Sequence, residues 1–388
     1  MAGNIPTQSP QTSMERNAMA ARGILLAGVE RFQQVYSKGV NPANERLLNI
    51  VPQNVGLIRG FLVKVEGIIS NGGAGVLNRT NFGAANALRD IGFTDVNNQV
   101  RHQTTGWHLN MVNSAKQPMV WGGAYAPNVP VGYGNNYDVI TAPSTIAAGA
   151  EAPVQMYYYV PLSYSKVDLR GAMWAGIVNA VSQLQLEINP NPAVAAGVDS
   201  GLAMYGGSAN SGWKAGSNVT VTVYQDYIDQ VPMSSEGQPI LPEIDLQTLY
   251  SLNTTSLSAL VAGQDYGVAF ANFRNFLSTS LTYNNGGVYS AGTDINFFAL
   301  QTANSSNIWK YGPEEAALMA RSTFMADPPT GTYYFDHRAK PINTQQFGNT
   351  QITVNPKTVA AGASLNVGFE YFSQASQVVF AGSLPSGG

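Results

Sequence analysis

The chain has 388 residues, no cysteine and a net charge of −3, and only 11% of it is charged, against ~25% in an average soluble domain. This excludes disulfides, thiol chemistry, cysteine-ligated zinc and a global basic field for nucleic acid. The missing charge is replaced by neutral polar residues and turn formers, with 40 Gly and 21 Pro, which suits short strands joined by loops in two or three domains.

Residues 1–12 are polar and carry Pro6 and Pro10. Thr12 to Glu15 fits a capping box. Met14, Ala18, Ala21, Leu25, Phe32 and Tyr36 then recur at helical spacing. Arg16, Arg31 and Lys38 fall on the opposite face and Arg22 near the border, while Gly39 and Pro42 supply a stop. The spacing predicts an amphipathic helix over Ser13–Lys38, about 39 Å long at 1.5 Å per residue. In residues 1–50, Arg16, Arg22, Arg31, Lys38 and Arg46 stand against Glu15, Glu30 and Glu45, a net +2 that leaves −5 elsewhere. A basic amphipathic helix suits an anionic membrane surface. Periodicity alone favours the other reading, a helix packed under its own β-domain. No stretch approaches the ~20 apolar residues of a membrane span, and no secretory signal pattern is present.

Strands are predicted at Gly56–Val65, Val154–Val160, Asn218–Tyr224 and Gln351–Val354, from their alternation and their β-branched and aromatic content. Gly72-Gly73-Ala-Gly75 reads as a hairpin turn and not a phosphate loop. A Pro-, Ser- and Gly-rich stretch at 232–242 reads as a linker between a domain at 48–231 and one at 243–388, with residues 1–47 as an N-terminal arm. Asp245–Leu252 reads as a short helical turn. Pro313–Ala326 reads as a helix opened by Pro313, with Glu314 and Glu315 at its positive end.

An internal repeat is the most informative feature. Pro143–Tyr158 matches Pro356–Tyr371 without a gap at an offset of 213, sharing Pro, Thr, Ala-Ala-Gly-Ala, Val and the final Tyr. Upstream, Arg59-Gly-Phe61-Leu62 resembles Arg274-Asn-Phe276-Leu277, and Asn71-Gly-Gly resembles Asn285-Gly-Gly, at offsets of 215 and 214. Two matches in the same order at nearly one offset indicate a duplicated domain, and strands recurring between Gly, Pro and Asn turns point to sandwiches or jelly rolls.

No catalytic constellation emerges. His102 and His108 are six residues apart and would share one side of a continuous strand, but no motif places a further metal ligand. Asp294 fits an Asx turn better than a cation loop. No Walker loop, dinucleotide fingerprint or nucleophile elbow is present. Trp107, Trp121, Trp174, Trp213 and Trp309 suit core or interface packing more than sugar stacking.

Several stretches carry a family likeness. They are Gly60-Phe-Leu-Val-Lys-Val65, Gly106-Trp107-His108-Leu109, Val112-Asn113, Thr145-Ile-Ala-Ala-Gly-Ala150 and Val160-Pro161-Leu162, then Thr222-Val-Tyr-Gln225 and Ile240-Leu-Pro242. Ala291-Gly-Thr-Asp-Ile-Asn296, Val354-Asn-Pro-Lys-Thr-Val359 and Glu370-Tyr371-Phe372 complete the series. In this order they resemble the major capsid proteins of tectiviruses, the membrane-containing bacteriophages, from about residue 45 onward. The resemblance implies an all-β chain of two tandem eight-stranded jelly rolls, a double jelly roll, with an N-terminal amphipathic helix. It implies a major capsid protein made in the host cytoplasm. Its homotrimeric, pseudo-hexagonal capsomers would tile an icosahedral virion shell over an internal membrane. The implied partners are other copies of the chain, that membrane, and penton and other minor capsid proteins, with no nucleic acid, no cofactor, no metal and no catalytic residues. It also turns the arm towards the membrane, making Met14, Arg16, Arg22, Leu25, Arg31, Phe32, Tyr36 and Lys38 the expected membrane-facing residues. The alternative from another class is a carbohydrate-binding or carbohydrate-cleaving β-sandwich of a phage tail or cell surface, which needs exposed coplanar aromatics or a carboxylate pair in a groove.

Overall fold

The structure is a computed structural model. It describes residues 22–374 apart from 25, 81, 117–141, 167, 176–180, 196–201, 233–234, 236–247, 288, 290–291, 303–306, 325–327 and 348. The longer elements of the first half are β1 (Val29–Val40), β2 (Leu47–Ile50), β3 (Leu57–Asn71), β4 (Leu88–Thr94) and β5 (Val100–Thr104). Helix α1 (Gly106–Lys116), β6 (Glu151–Pro161), β7 (Gln183–Ile188) and β8 (Val219–Asp229) follow. The second half holds β9 (Thr248–Leu257), β10 (Tyr266–Ala269), β11 (Arg274–Asn284), β12 (Ile295–Gln301) and β13 (Asn307–Tyr311). Helix α2 (Pro313–Phe324), β14 (Thr332–Asp336), β15 (Gln351–Pro356) and β16 (Ser364–Gln374) complete it.

Two sandwiches result. In the first, the antiparallel sheet β1–β8–β3–β6 faces β2–β7–β4–β5. Alternate residues Phe61, Val63 and Val65 of β3 and Val219, Val221 and Val223 of β8 point into the core. Phe61 meets Phe93 of the opposite sheet with centroids 5.5 Å apart. In the second, β9–β16–β11–β14 faces β10–β15–β12–β13, and Phe298 of β12 meets Tyr333 of β14 at 4.4 Å. Helix α2 follows its predicted start closely, with Pro313 first, Glu314 and Glu315 in the first turn, and a buried stripe of Ala316, Ala320 and Phe324.

The repeat is conserved in three dimensions. β3 pairs with β6 as β11 pairs with β16, and the partners Val65↔Met156 and Lys64↔Tyr157 recur as Thr279↔Phe369 and Ser278↔Glu370. Both copies of Ala-Ala-Gly-Ala make the same turn. The fourth residue's N–H bonds the first residue's carbonyl at 3.1 Å in each, and Gly149 and Gly362 sit at φ +70° and +79°, where L side chains are strained. Asn71 donates to the Ala147 carbonyl at 3.0 Å, and Asn285 accepts from the Ala360 N–H at 2.6 Å. The duplicated Asn-Gly-Gly thus pins the duplicated turn.

Three expectations are corrected. Residues 22–24 and 26–27 are helical, but the helix stops at Gly28 and does not run to Lys38. A Cβ on Gly28 would come within 2.3 Å of Ile228, so this residue lets the chain turn tightly onto β8. Val29–Val40 then pairs antiparallel along β8, with a bulge between Gln34 and Tyr36. The segment expected as arm up to residue 47 therefore contains the first strand of the first sandwich. Its neutral polar and β-branched residues match an exposed edge strand as well as they match a helix face. Asp245–Leu252 is not a helical turn over its described part, since Thr248–Leu257 is a strand paired along β16. His102 and His108 do not share a strand, because the chain turns into α1 at Gly106.

Candidate functional site at the junction of the sandwiches

One sheet runs through both sandwiches. β5 of the first pairs in parallel with β9 of the second through Leu252↔His102 and Asn253↔Gln103, giving a nine-stranded sheet. Beside this seam the outer face of β16 turns towards the first sandwich. Leu365, Val367, Phe369 and Tyr371 fill the second core, while Gly368, Glu370 and Phe372 point the other way. Phe372 joins the core of the first sandwich, as do Tyr250, Leu252 and Tyr334.

Glu370 is fully buried there and accepts four contacts. Tyr250 Oη donates to Oε1 at 2.8 Å, and Lys116 Nζ lies 3.1 Å from the same oxygen. Ser278 Oγ and Arg338 Nη2 donate to Oε2 at 2.6 and 2.8 Å. Lys116 comes from the end of α1 in the first sandwich, whereas the other partners belong to the second. Lys116 also donates to the Tyr164 carbonyl at 2.8 Å and lies 3.9 Å from the Tyr250 ring centroid. Burial alone would raise the Glu370 carboxyl, but the charges of Arg338 and Lys116 outweigh it and hold the group down at about 2. Burial pushes Lys116 down to about 8 against the pull of Glu370. A cavity of about 270 Å³ opens beside the cluster, lined by Lys116, Tyr164, Lys166, Asp336 and Arg338 among others.

Two glycines admit close approach across the same boundary. A Cβ on Gly368 would come within 2.2 Å of the His108 ring, and one on Gly171 within 2.7 Å of Tyr250 Cβ. His102 links the sheets directly. Its Nδ1 accepts from the Leu252 N–H at 3.1 Å, so its Nε2 carries the proton bonded to the Pro161 carbonyl at 2.7 Å. His108 Nδ1 bonds Thr104 Oγ1 at 2.7 Å. Burial drives both imidazoles down to about 3, helped for His102 by the charge of Arg101. These are packing groups in the neutral state. Among the described residues no three His, Cys, Asp or Glu are arranged to hold a metal ion.

The residues expected on a membrane-facing helix separate. Met14, Arg16 and Leu25 lie outside the described residues, and Arg22 is exposed. Arg31, Phe32, Tyr36 and Lys38 are on strand β1 and share no helical face. Arg31 pairs with Asp229 at 2.7 Å and Lys38 with Glu45 at 2.5 Å. Glu30 anchors the strand to Arg59 at 2.8 Å, and the fully buried Arg59 pairs with the equally buried Asp226 at 2.6 Å. Asp294 ties its loop to the distant 357–358 segment, accepting at its backbone carbonyl from the Lys357 N–H at 2.7 Å and at its side chain from Thr358 Oγ1. Trp107 is buried, Trp213 donates to the Asn189 carbonyl at 2.7 Å, and Trp309 stacks on Phe335 at 4.6 Å, while Trp121 lies outside the described residues. A carboxylate pair does exist, Asp90 opposite Glu187. Partial desolvation and the Glu187 carboxyl raise Asp90 to about 6, yet its side chain keeps 58% of its surface exposed and Arg46 and Arg89 attend the pair.

The P3 major capsid protein N-terminal family matches residues 13–231 and the P3 major capsid protein C-terminal family residues 247–386. The chain is 41% identical to the major capsid protein P3 of Enterobacteria phage PRD1 over 377 residues, which is 96% of this chain and 95% of that one. Among solved structures, the STIV major capsid protein aligns with TM-score 0.64 at 9% identity, covering 89% of this chain and 97% of that one. PBCV-1 VP54, fitted into a reconstruction of the virophage Sputnik, aligns with TM-score 0.56 at 12% identity, covering 89% and 93%. The likeness in sequence and fold, with the duplicated register, leads to one conclusion: the chain belongs to the P3 major capsid protein family of tectiviruses, double jelly-roll structural proteins of the virion shell and not enzymes.

Proposed function

We propose that the chain forms a homotrimeric, pseudo-hexagonal capsomer, and that these capsomers tile an icosahedral shell over an internal membrane, with penton and other minor capsid proteins as further partners. The observation that carries this is the duplicated register: Val65↔Met156 and Thr279↔Phe369 occupy equivalent places in two sandwiches joined by one sheet. Three such chains present six similar lobes around a threefold axis, and a near-hexagonal block can tile a facet with only threefold symmetry. The membrane contact in this reading falls to the arm before β1, including Met14, Arg16, Arg22 and Leu25. Arg31 and Lys38 are already held in ion pairs, and Leu26 leaves 79% of its surface exposed.

Light scattering on the purified chain tests the trimer, which is expected at three times the chain mass. A monodisperse monomer at micromolar concentration refutes it. Co-flotation with anionic vesicles tests the arm: binding by the intact chain and none after removal of residues 1–28 is expected, whereas equal binding by both forms excludes the arm.

A further inference from the structure

The outer face of β16 departs from its repeat partner where it meets the first sandwich. At the offset of 213, Gln155 corresponds to Gly368 and Tyr157 to Glu370; across the pairing, Lys64 corresponds to Ser278. In the first sandwich these positions look outward and are partly exposed, and Lys64 lies 5.8 Å from the Tyr157 ring centroid. In the second sandwich the aromatic has become a buried carboxylate, its cross-strand neighbour a hydroxyl that donates to it, and the nearby glutamine a glycine nested against His108. Core positions of β6 and β16 stay apolar, with Met156 matching Phe369 and Val154 matching Val367, while across the pairing Val65 is matched by the buried Thr279. The changes from Tyr157 to Glu370, Gln155 to Gly368 and Lys64 to Ser278 all lie on the face that touches the other sandwich.

We infer that Glu370 is the lock between the two jelly rolls: by drawing Lys116 of the first and Arg338 of the second onto one carboxylate, it holds them at a fixed angle as a single block. A carboxylate in this place accepts from both cations at once, and removing its charge leaves two nearly buried cations with no shared counterion. Gly368 is the steric partner of the lock, since the two faces close only where β16 has no side chain opposite His108. The inference deepens the trimer reading and rests on it for its purpose, because six lobes outline a regular hexagon only if the angle within each chain is constant.

Hydrogen exchange read by mass spectrometry on the soluble full-length chain tests it. Glu370→Gln is expected to speed exchange about tenfold or more in the seam, residues 102–104 and 249–254, where the Leu252 amide bonds His102. Amides of β3 and β12, inside each sandwich, are expected to exchange as before. Gly368→Ala is expected to open the same seam by its clash with His108, and Tyr157→Phe at the equivalent position to change nothing. Unchanged seam exchange in Glu370→Gln overturns the lock, as does a uniform rise across both sandwiches. If Glu370→Gln does not fold, Tyr250→Phe, which deletes one donor to the carboxylate, provides the same readout in milder form. Light scattering on the same samples separates the two claims. A monomer with a protected seam refutes the trimer and leaves the lock, and a trimer whose variants keep a protected seam refutes only the lock.

Discussion

Asp226→Asn preserves the shape of a buried side chain on β8, between β1 and β3 of the first sandwich, and removes its charge. Asp226 Oδ1 accepts from Arg59 Nε at 3.2 Å and Nη2 at 2.6 Å, and Oδ2 accepts from Tyr159 Oη at 2.7 Å. Arg59 and Asp226 have no exposed side-chain surface, and the remaining partner, Glu30, is 53% exposed. Without Asp226 the guanidinium stays buried with one half-solvated counterion, so a cost of about 3–5 kcal/mol is expected. The comparison is Arg31→Ala, which breaks the Arg31–Asp229 pair on the same strand. Those side chains are 48% and 39% exposed, so solvent screening limits the loss to less than ~1 kcal/mol. Equilibrium urea unfolding at one fixed protein concentration reads both. The double replacement Arg59→Met with Asp226→Leu should recover much of the loss, because it leaves no unpaired charge. An Asp226→Asn midpoint no lower than that of Arg31→Ala would falsify the reasoning, since burial would then not be what makes this pair matter.

The turns of the repeat offer a matched pair: Gly149→Ala and Gly362→Ala place a methyl in open space at φ +70° and +79°, so each should cost only the backbone strain, ~1–2 kcal/mol, and urea midpoints displaced by clearly different amounts would show that the turns are not equivalent. Acid should weaken the fold over two windows, followed as melting temperature against pH. His102 and His108, neutral in the fold with pKa values of about 3 against 6.5, contribute stability that falls as pH drops from 6.5 towards 3, because the unfolded chain takes up the protons first. Glu370, at about 2 against 4.5, contributes stability complete above pH 4.5 and lost as pH falls towards 2, a slope that Glu370→Gln should flatten. Imidazole NMR signals of His102 and His108 that titrate between pH 5 and 8 would contradict the first window.

The duplication was legible because turns are local chemistry: Ala-Ala-Gly-Ala needs a glycine at its left-handed position wherever it occurs, and Asn71 and Asn285 hold it from nearby in the fold. The strand β1 was not legible. Val29 to Val40 contains residues that satisfy a helical period, and only pairing with β8, 181 residues away at Gly39↔Thr220, selects the strand, a distant contact that overrides local spacing. β9 was missed for the same reason, since its partner β16 lies at the far end of the chain. The Glu370 cluster unites Lys116, Ser278, Arg338 and Glu370 from separate parts of the sequence, and no spacing reveals it. One signal was available. Within an otherwise matching repeat, an acid stands where the first copy has Tyr157, in a strand whose neighbours Phe369 and Tyr371 are apolar-faced. Such a departure marks a surface that acquired a different neighbour after duplication.

The seam between β5 and β9 has a mechanical side. Its ladder is two register pairs long, Leu252↔His102 and Asn253↔Gln103, whereas β3 and β6 pair through eleven within the first sandwich. A twist applied to one lobe of a chain is therefore resisted little by backbone hydrogen bonds, which act as a short axle. Resistance comes from side chains set off to the flanks, the Glu370 cluster and the edge contact of Phe82 with Tyr289 at 5.4 Å. Torsional stiffness in this coat subunit is thus a side-chain property, open to adjustment by single substitutions that leave every strand of both sandwiches in register.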